Sequence, residues 1–69
     1  MTVYVYAATS DPLLWAMAHE AETWDEASAW VRAERYETDG WVHFALSEVQ
    51  WPWRQTSESY GDMRRRIGR

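Results

Sequence analysis

Only ten of the 69 residues are Leu, Ile, Val or Phe, whereas six are Trp and four are Tyr. A chain with so few branched aliphatics must build its core largely from aromatic rings. Each buried ring system withdraws ~150–250 Å² from water, so a few of them replace many aliphatics. At this length burial barely offsets the entropy of ordering the chain, which leaves room for one small domain. Association with a larger partner, or a homodimer, is a ready way for such a domain to gain stability. Cys is absent, which excludes a disulfide scaffold, a Cys-x-x-Cys redox pair and a Cys-ligated zinc. The apolar runs are far shorter than the ~20 residues needed to cross a bilayer. With no basic-then-apolar leader at the start, the expected location is the cytoplasm of a bacterial host.

Local patterning defines most of the elements. Thr2-Val3-Tyr4-Val5-Tyr6-Ala7-Ala8 is β-branched and aromatic and reads as a strand. Val3, Val5 and Ala7 share one face, and Tyr4 and Tyr6 share the other. Thr9-Ser10-Asp11-Pro12 then reads as a turn or a helix start. Thr23-Trp24-Asp25-Glu26 is a capping box, in which Thr23 receives the Glu26 amide and Glu26 reaches back to the Thr23 amide. It opens a helix over about 24–36 with an apolar stripe of Trp24, Ala27, Trp30 and Val31. Glu34 falls within that stripe and is expected at a wet rim. Asp39-Gly40 ends the helix. Residues 41–49 alternate again, with Val42, Phe44 and Leu46 on one face and Trp41, His43 and Ala45 on the other.

Residues 13–22 fit two descriptions. Leu13, Leu14, Met17, Ala18 and Ala21 suit a helix begun by Pro12. A strand leading directly into the Thr23 cap is the more ordinary junction. The expected fold is therefore α+β, a small antiparallel sheet packed on one main helix, in the order ββαβ, with βααβ as the alternative. Residues 1–53 form the single domain and 54–69 a basic C-terminal tail. A short helix capped by Asp62 is one form that tail could take, and disorder is the other.

Charge is divided along the chain. Residues 1–53 hold nine carboxylates against Arg32 and Arg35, and residues 54–69 hold five Arg against Glu58 and Asp62. An acidic body disfavours direct nucleic-acid binding, which depends on phosphate neutralisation. It favours a partner with a basic surface and salt-sensitive association. Arg64-Arg65-Arg66 could grip an anionic surface, stay solvated, or dock on the acidic body.

Catalytic patterns are missing. Ser residues coexist with His19 and His43, but no Gly-x-Ser-x-Gly elbow is present. His19-Glu20-Ala21-Glu22 with His43 contains potential ligands, yet position 23 is Thr, so His-Glu-x-x-His is absent. Gly40, Gly61 and Gly68 make no phosphate-cradling loop. The pairs Glu20/Glu22 and Asp25/Glu26 lack any sign of the desolvation that acid–base work requires. The chain is accordingly read as a non-enzyme with no cofactor and no metal.

The feature that points to function is the second face of the sheet. If the Val, Phe and Leu positions face the helix, Tyr4, Tyr6, Trp41 and His43 line the opposite side. Trp15, Trp51 or Trp53 could add to this platform. It could be covered by residues 50–60, serve as a protein or self-association surface, or stack nucleic-acid bases.

The strand Val3-Tyr4-Val5-Tyr6, the junction Ala21-Glu22-Thr23-Trp24-Asp25-Glu26-Ala27 and the strand after Gly40 together resemble very small phage-encoded inhibitors of bacterial defence, anti-CRISPR proteins among them. The resemblance covers residues 1–50 in size and order of elements, and it transfers no site residue. It implies a stand-alone protein that docks on a larger complex. The expected function is an inhibitor or adaptor acting by steric occlusion or acidic mimicry. Glu20, Glu22, Asp25 and Glu26 supply the charge, and Tyr4, Tyr6, Trp41 and His43 the anchoring face. The alternative is a nucleic-acid-linked regulator or antitoxin using the Arg-rich tail and an aromatic sheet.

Overall fold

The computed structural model describes residues 1–9, 13–52 and 56–67. Ser10, Asp11 and Pro12, where a turn or a helix start was expected, and Trp53, Arg54 and Arg69 lie outside the described residues. Strands β1 (Val3–Thr9) and β2 (Ala16–Ala21) are followed by helix α1 (Trp24–Glu37), strand β3 (Val42–Ser47) and helix α2 (Tyr60–Ile67). The fold is α+β with a three-stranded antiparallel sheet in the order β2-β1-β3. Residues 16–21 are thus a strand, and the helical alternative for this segment does not form. Because β2 and β3 both run antiparallel to β1, they are parallel to one another, and α1 is the crossover between them. The N-terminus of α1 therefore lies at the end of the sheet where β2 and β3 finish.

The sheet alternates as its sequence dictates. Val5 pairs with Leu46 and Ala7 with Phe44 on the helix side, while Tyr4 pairs with Ser47 and Tyr6 with Ala45 on the other. Val3, Val5 and Ala21 pack with Ala27 and Val31 of α1, and Trp30, Phe44 and Leu46 close the margin. On β2 the register slips between Val5 and Tyr6, whose partners are His19 and Met17. Ala18 is the extra residue of a bulge.

Thr23 caps α1 as expected, with its Oγ1 accepting from the Glu26 amide at 3.1 Å. The reciprocal arm differs: Glu26 Oε2 receives the amide of Glu22, one residue earlier than Thr23, at 2.9 Å. Trp24 is not part of the buried stripe. It is the first helical residue, 42% exposed, and its indole N–H donates to Glu48 Oε1 at 3.3 Å. The helix ends through Thr38, which is fully buried and donates its hydroxyl to Glu34 O at 2.7 Å. Asp39 and Gly40 then both take positive φ, 54° and 76°, a reversal that Gly and Asp tolerate better than most residues.

Within the C-terminal basic segment, residues 60–67 form α2, on the same side of the sheet as α1. Its Met63 is 1% exposed and packs with Ala7 and Val42, flanked by Ala16, Ala18, Phe44, Tyr60 and Ile67. The cap is Ser59 rather than Asp62: Ser59 Oγ accepts from the Asp62 amide at 3.1 Å. Asp62 instead sits in the first turn, where its charge suits the helix dipole.

Candidate functional site

The expected anchoring residues do not form one surface. Tyr4 lies beside Glu20 on β2 and Ser47 on β3, at the end of the sheet nearest the start of α1. Trp41 and His43 lie at the far end of β3, where Trp41 is 62% exposed and His43 sits opposite Ala8. Tyr6 falls between them and is 5% exposed. Its ring is stacked on Trp51 with centroids 3.9 Å apart and planes 2° from parallel. The Trp51 amide donates to Tyr6 Oη at 2.7 Å. Trp15 meets Trp51 edge-on at 5.8 Å. The chain after β3 therefore folds across the middle of the outer face and makes a second, aromatic half-core there. Beside it is a cleft of about 360 Å³ whose walls include Tyr6, Trp15, Met17, Trp51 and Glu58.

The four acidic residues do converge. Glu20 is the penultimate residue of β2, Glu22 lies in the junction, and Asp25 and Glu26 occupy the first turn of α1. Glu48, just past β3, joins them through the Trp24 indole. Exposed Trp24 therefore lies at an acidic end of the molecule, with Glu20 beside Tyr4 on the outer face of the sheet. None of the three ion pairs among the described residues uses any of these five acids. Composition alone does not reveal Glu48 and Trp24. Their signal is topological, since parallel strands joined by a helix deliver both strand ends to that helix's N-terminus.

The three arginines of α2 are all ion-paired, and Arg64 is the one that is mostly covered. Arg64 Nη1 donates to Glu34 Oε1 at 2.5 Å, and Tyr60 Oη donates to the same oxygen at 2.6 Å. Glu34 is only 16% exposed, so this acid within the apolar stripe is partnered rather than wet. Arg64 reaches Glu34 through this single Nη1 bond, and its Nε is buried without a hydrogen-bond partner. Burial, followed by the hydrogen bond to the Glu34 carboxylate, raises the Tyr60 phenol above its ordinary range. Arg66 grips Glu58 with two hydrogen bonds, 2.8 and 2.9 Å, and reaches Thr9 Oγ1 at 3.0 Å. Its hydrogen bond holds the Glu58 carboxyl below its ordinary range. Arg65 pairs with Asp62 on the surface.

His19 faces α1, half-buried, with its ring stacked on Trp30 at 4.6 Å and 1°. Among the described residues no group of three or more His, Asp or Glu is placed to hold a metal ion. Nor is any helix among them long and apolar enough to cross a membrane.

Comparison of the chain with protein-family models, with curated proteins and with solved structures gave no match.

Proposed function

We propose that this chain is a small non-enzymatic binding protein, encoded by a phage or other mobile element. It would act as an inhibitor or adaptor by occupying a basic surface of a larger complex, with a nucleic-acid-handling defence complex as the target class. The observation that carries the reading is the separation of charge in space. Arg64 and Arg66 are engaged by Glu34 and Glu58, whereas Glu20, Glu22, Asp25, Glu26 and Glu48 are exposed at the end of the molecule that carries Trp24. A desolvatable aromatic at an end of one sign of charge suits a protein interface, the ring supplying affinity and the charges the steering. Carboxylates spaced over a helix start and two strand ends can take the place of phosphates on a cationic groove. The pairing of Arg64 with Glu34 and of Arg66 with Glu58 argues against the nucleic-acid-linked alternative, which would need those cations for phosphate.

Salt dependence tests the reading. Affinity for the partner is expected to fall about tenfold or more from low salt to 0.5 M, as screening shortens the reach of the acidic end. Trp24→Ala is expected to weaken binding at both salt concentrations. Salt-independent binding would exclude acidic mimicry. Retention of single- or double-stranded nucleic acid in a filter assay would favour the regulator instead.

A further inference from the structure

The two edges of the sheet are built differently. The β2 edge carries a bulge at Ala18 and a charged residue, Glu20, the usual devices that stop an edge from recruiting another strand. The β3 edge has none. Val42-His43-Phe44-Ala45-Leu46-Ser47 contains no Asp, Glu, Lys, Arg, Pro or Gly, and its register against β1 is unbroken over six pairs. Among the described residues no strand pairs with its outer side. A straight, uncharged edge of this length is a template for strand addition.

Charge on the neighbouring helix says what would be added. Asp25, Ser28, Arg32 and Arg35 follow one another at helical spacing along one side of α1. Ser28, Val31, Arg32 and Arg35 of α1, with Leu46 of β3, line a groove of about 310 Å³ between the helix and this edge. Neither Arg32 nor Arg35 takes part in the three ion pairs among the described residues. The stripe runs from negative at its N-terminal end to positive at its C-terminal end. Such a stripe is complementary to itself when reversed.

We infer that the β3 edge and the adjoining side of α1 are an interface for a second copy of this chain, with a two-fold axis near Phe44 and Ala45. Antiparallel pairing of β3 with its own copy extends the three-stranded sheet to six strands and brings no like charges opposite on the strands. The same rotation lays the two α1 helices antiparallel, so that the Asp25 end of each faces the Arg35 end of the other. The contact is isologous and closes on itself, so assembly stops at two chains. The Glu20, Glu22 and Glu48 end remains open on each copy.

Sedimentation equilibrium of the full chain, with hydrogen exchange of the β3 amides over the same concentration series, tests the inference. The expected result is a species of twice the 8.2 kDa chain mass, with protection of residues 42–47 rising as it forms. Arg35→Glu is expected to weaken dimerisation at least tenfold, and Asp25→Arg combined with Arg35→Glu to restore it, circular dichroism remaining unchanged. A chain that stays monomeric to about 1 mM would overturn the inference. So would a dimer whose β3 amides exchange as fast as in the monomer, or a double variant with no recovery. Protection of β3 only when a strand from another protein is supplied would also overturn it and assign the edge to that partner.

Discussion

Glu34 and Tyr60 show how single residues join the two helices. A carboxylate in the apolar stripe of α1 is costly unless it is paired, and α2 brings both a phenol and a guanidinium to it. Because the Tyr60 pKa is raised by folding, its contribution to stability is complete below the ordinary tyrosine value of 10.0. The contribution is lost as pH rises through the higher value of the folded protein. Alkaline spectrophotometric titration of the native protein should therefore contain a late tyrosine component that is absent in Tyr60→Phe. An unchanged titration curve in that variant would contradict the assignment. The environment of Glu34 was half legible in the sequence. Helical spacing put it in the stripe, but its partners lie 26 and 30 residues away, and no local pattern encodes a contact of that range. Tyr6 failed for a similar reason: alternation placed it on the outer face, and only the path of Trp51 reveals that this part of the face is covered.

At the scale of elements, local signals carried most of the architecture. The Thr23 cap, the alternation in β1 and β3 and the reversal at Asp39-Gly40 each act within a few residues, so they can be read directly. Thr23→Ala should cost about 1 kcal/mol in urea unfolding, because it strands the Glu26 amide. The helix of residues 60–67 was harder to see. Ser59 lies inside a polar stretch, and the one large side chain that α2 fully buries is Met63. A single Met in an arginine-rich run gives almost no periodic signal. That side chain nevertheless fills the space between Ala7 and Val42. Replacing Met63 with Ala should cost about 2–5 kcal/mol, out of only about 3–10 kcal/mol for a domain of this size. Thermal melting should show a large loss, whereas Arg65→Ala, at an exposed pair, should change stability by no more than about 1 kcal/mol. Equal effects of the two substitutions would mean that α2 is not part of the core.

For the whole molecule, the shortage of aliphatics has a structural answer. Aromatic rings fill positions on both sides of the sheet: Trp30, Phe44 and Tyr60 meet beneath the helices, and Tyr6, Trp51 and Trp15 meet on the outer face. The aromatic platform expected from the sequence is thus partly used for folding. Of the rings that remain exposed, Trp24 lies at the acidic end, bonded to Glu48, and Trp41 at the other end of the sheet. The sequence holds the acidic body and basic segment as a simple division along the chain. The fold changes what that division means, because Arg64, Arg65 and Arg66 are each ion-paired within the chain, while Glu20, Glu22, Asp25, Glu26 and Glu48 are in none of the ion pairs among the described residues. On the reading proposed above, the acidic end is where the protein meets its partner. Photo-crosslinking from a photoreactive phenylalanine analogue placed at position 24 of the full chain, in a bacterial host carrying the target, tests it most directly. The expected result is a covalent adduct with one larger basic protein, lost when Glu20→Gln, Glu22→Gln and Glu26→Gln are combined. An adduct undiminished by that neutralisation, an adduct with nucleic acid alone, or no adduct would contradict the claim.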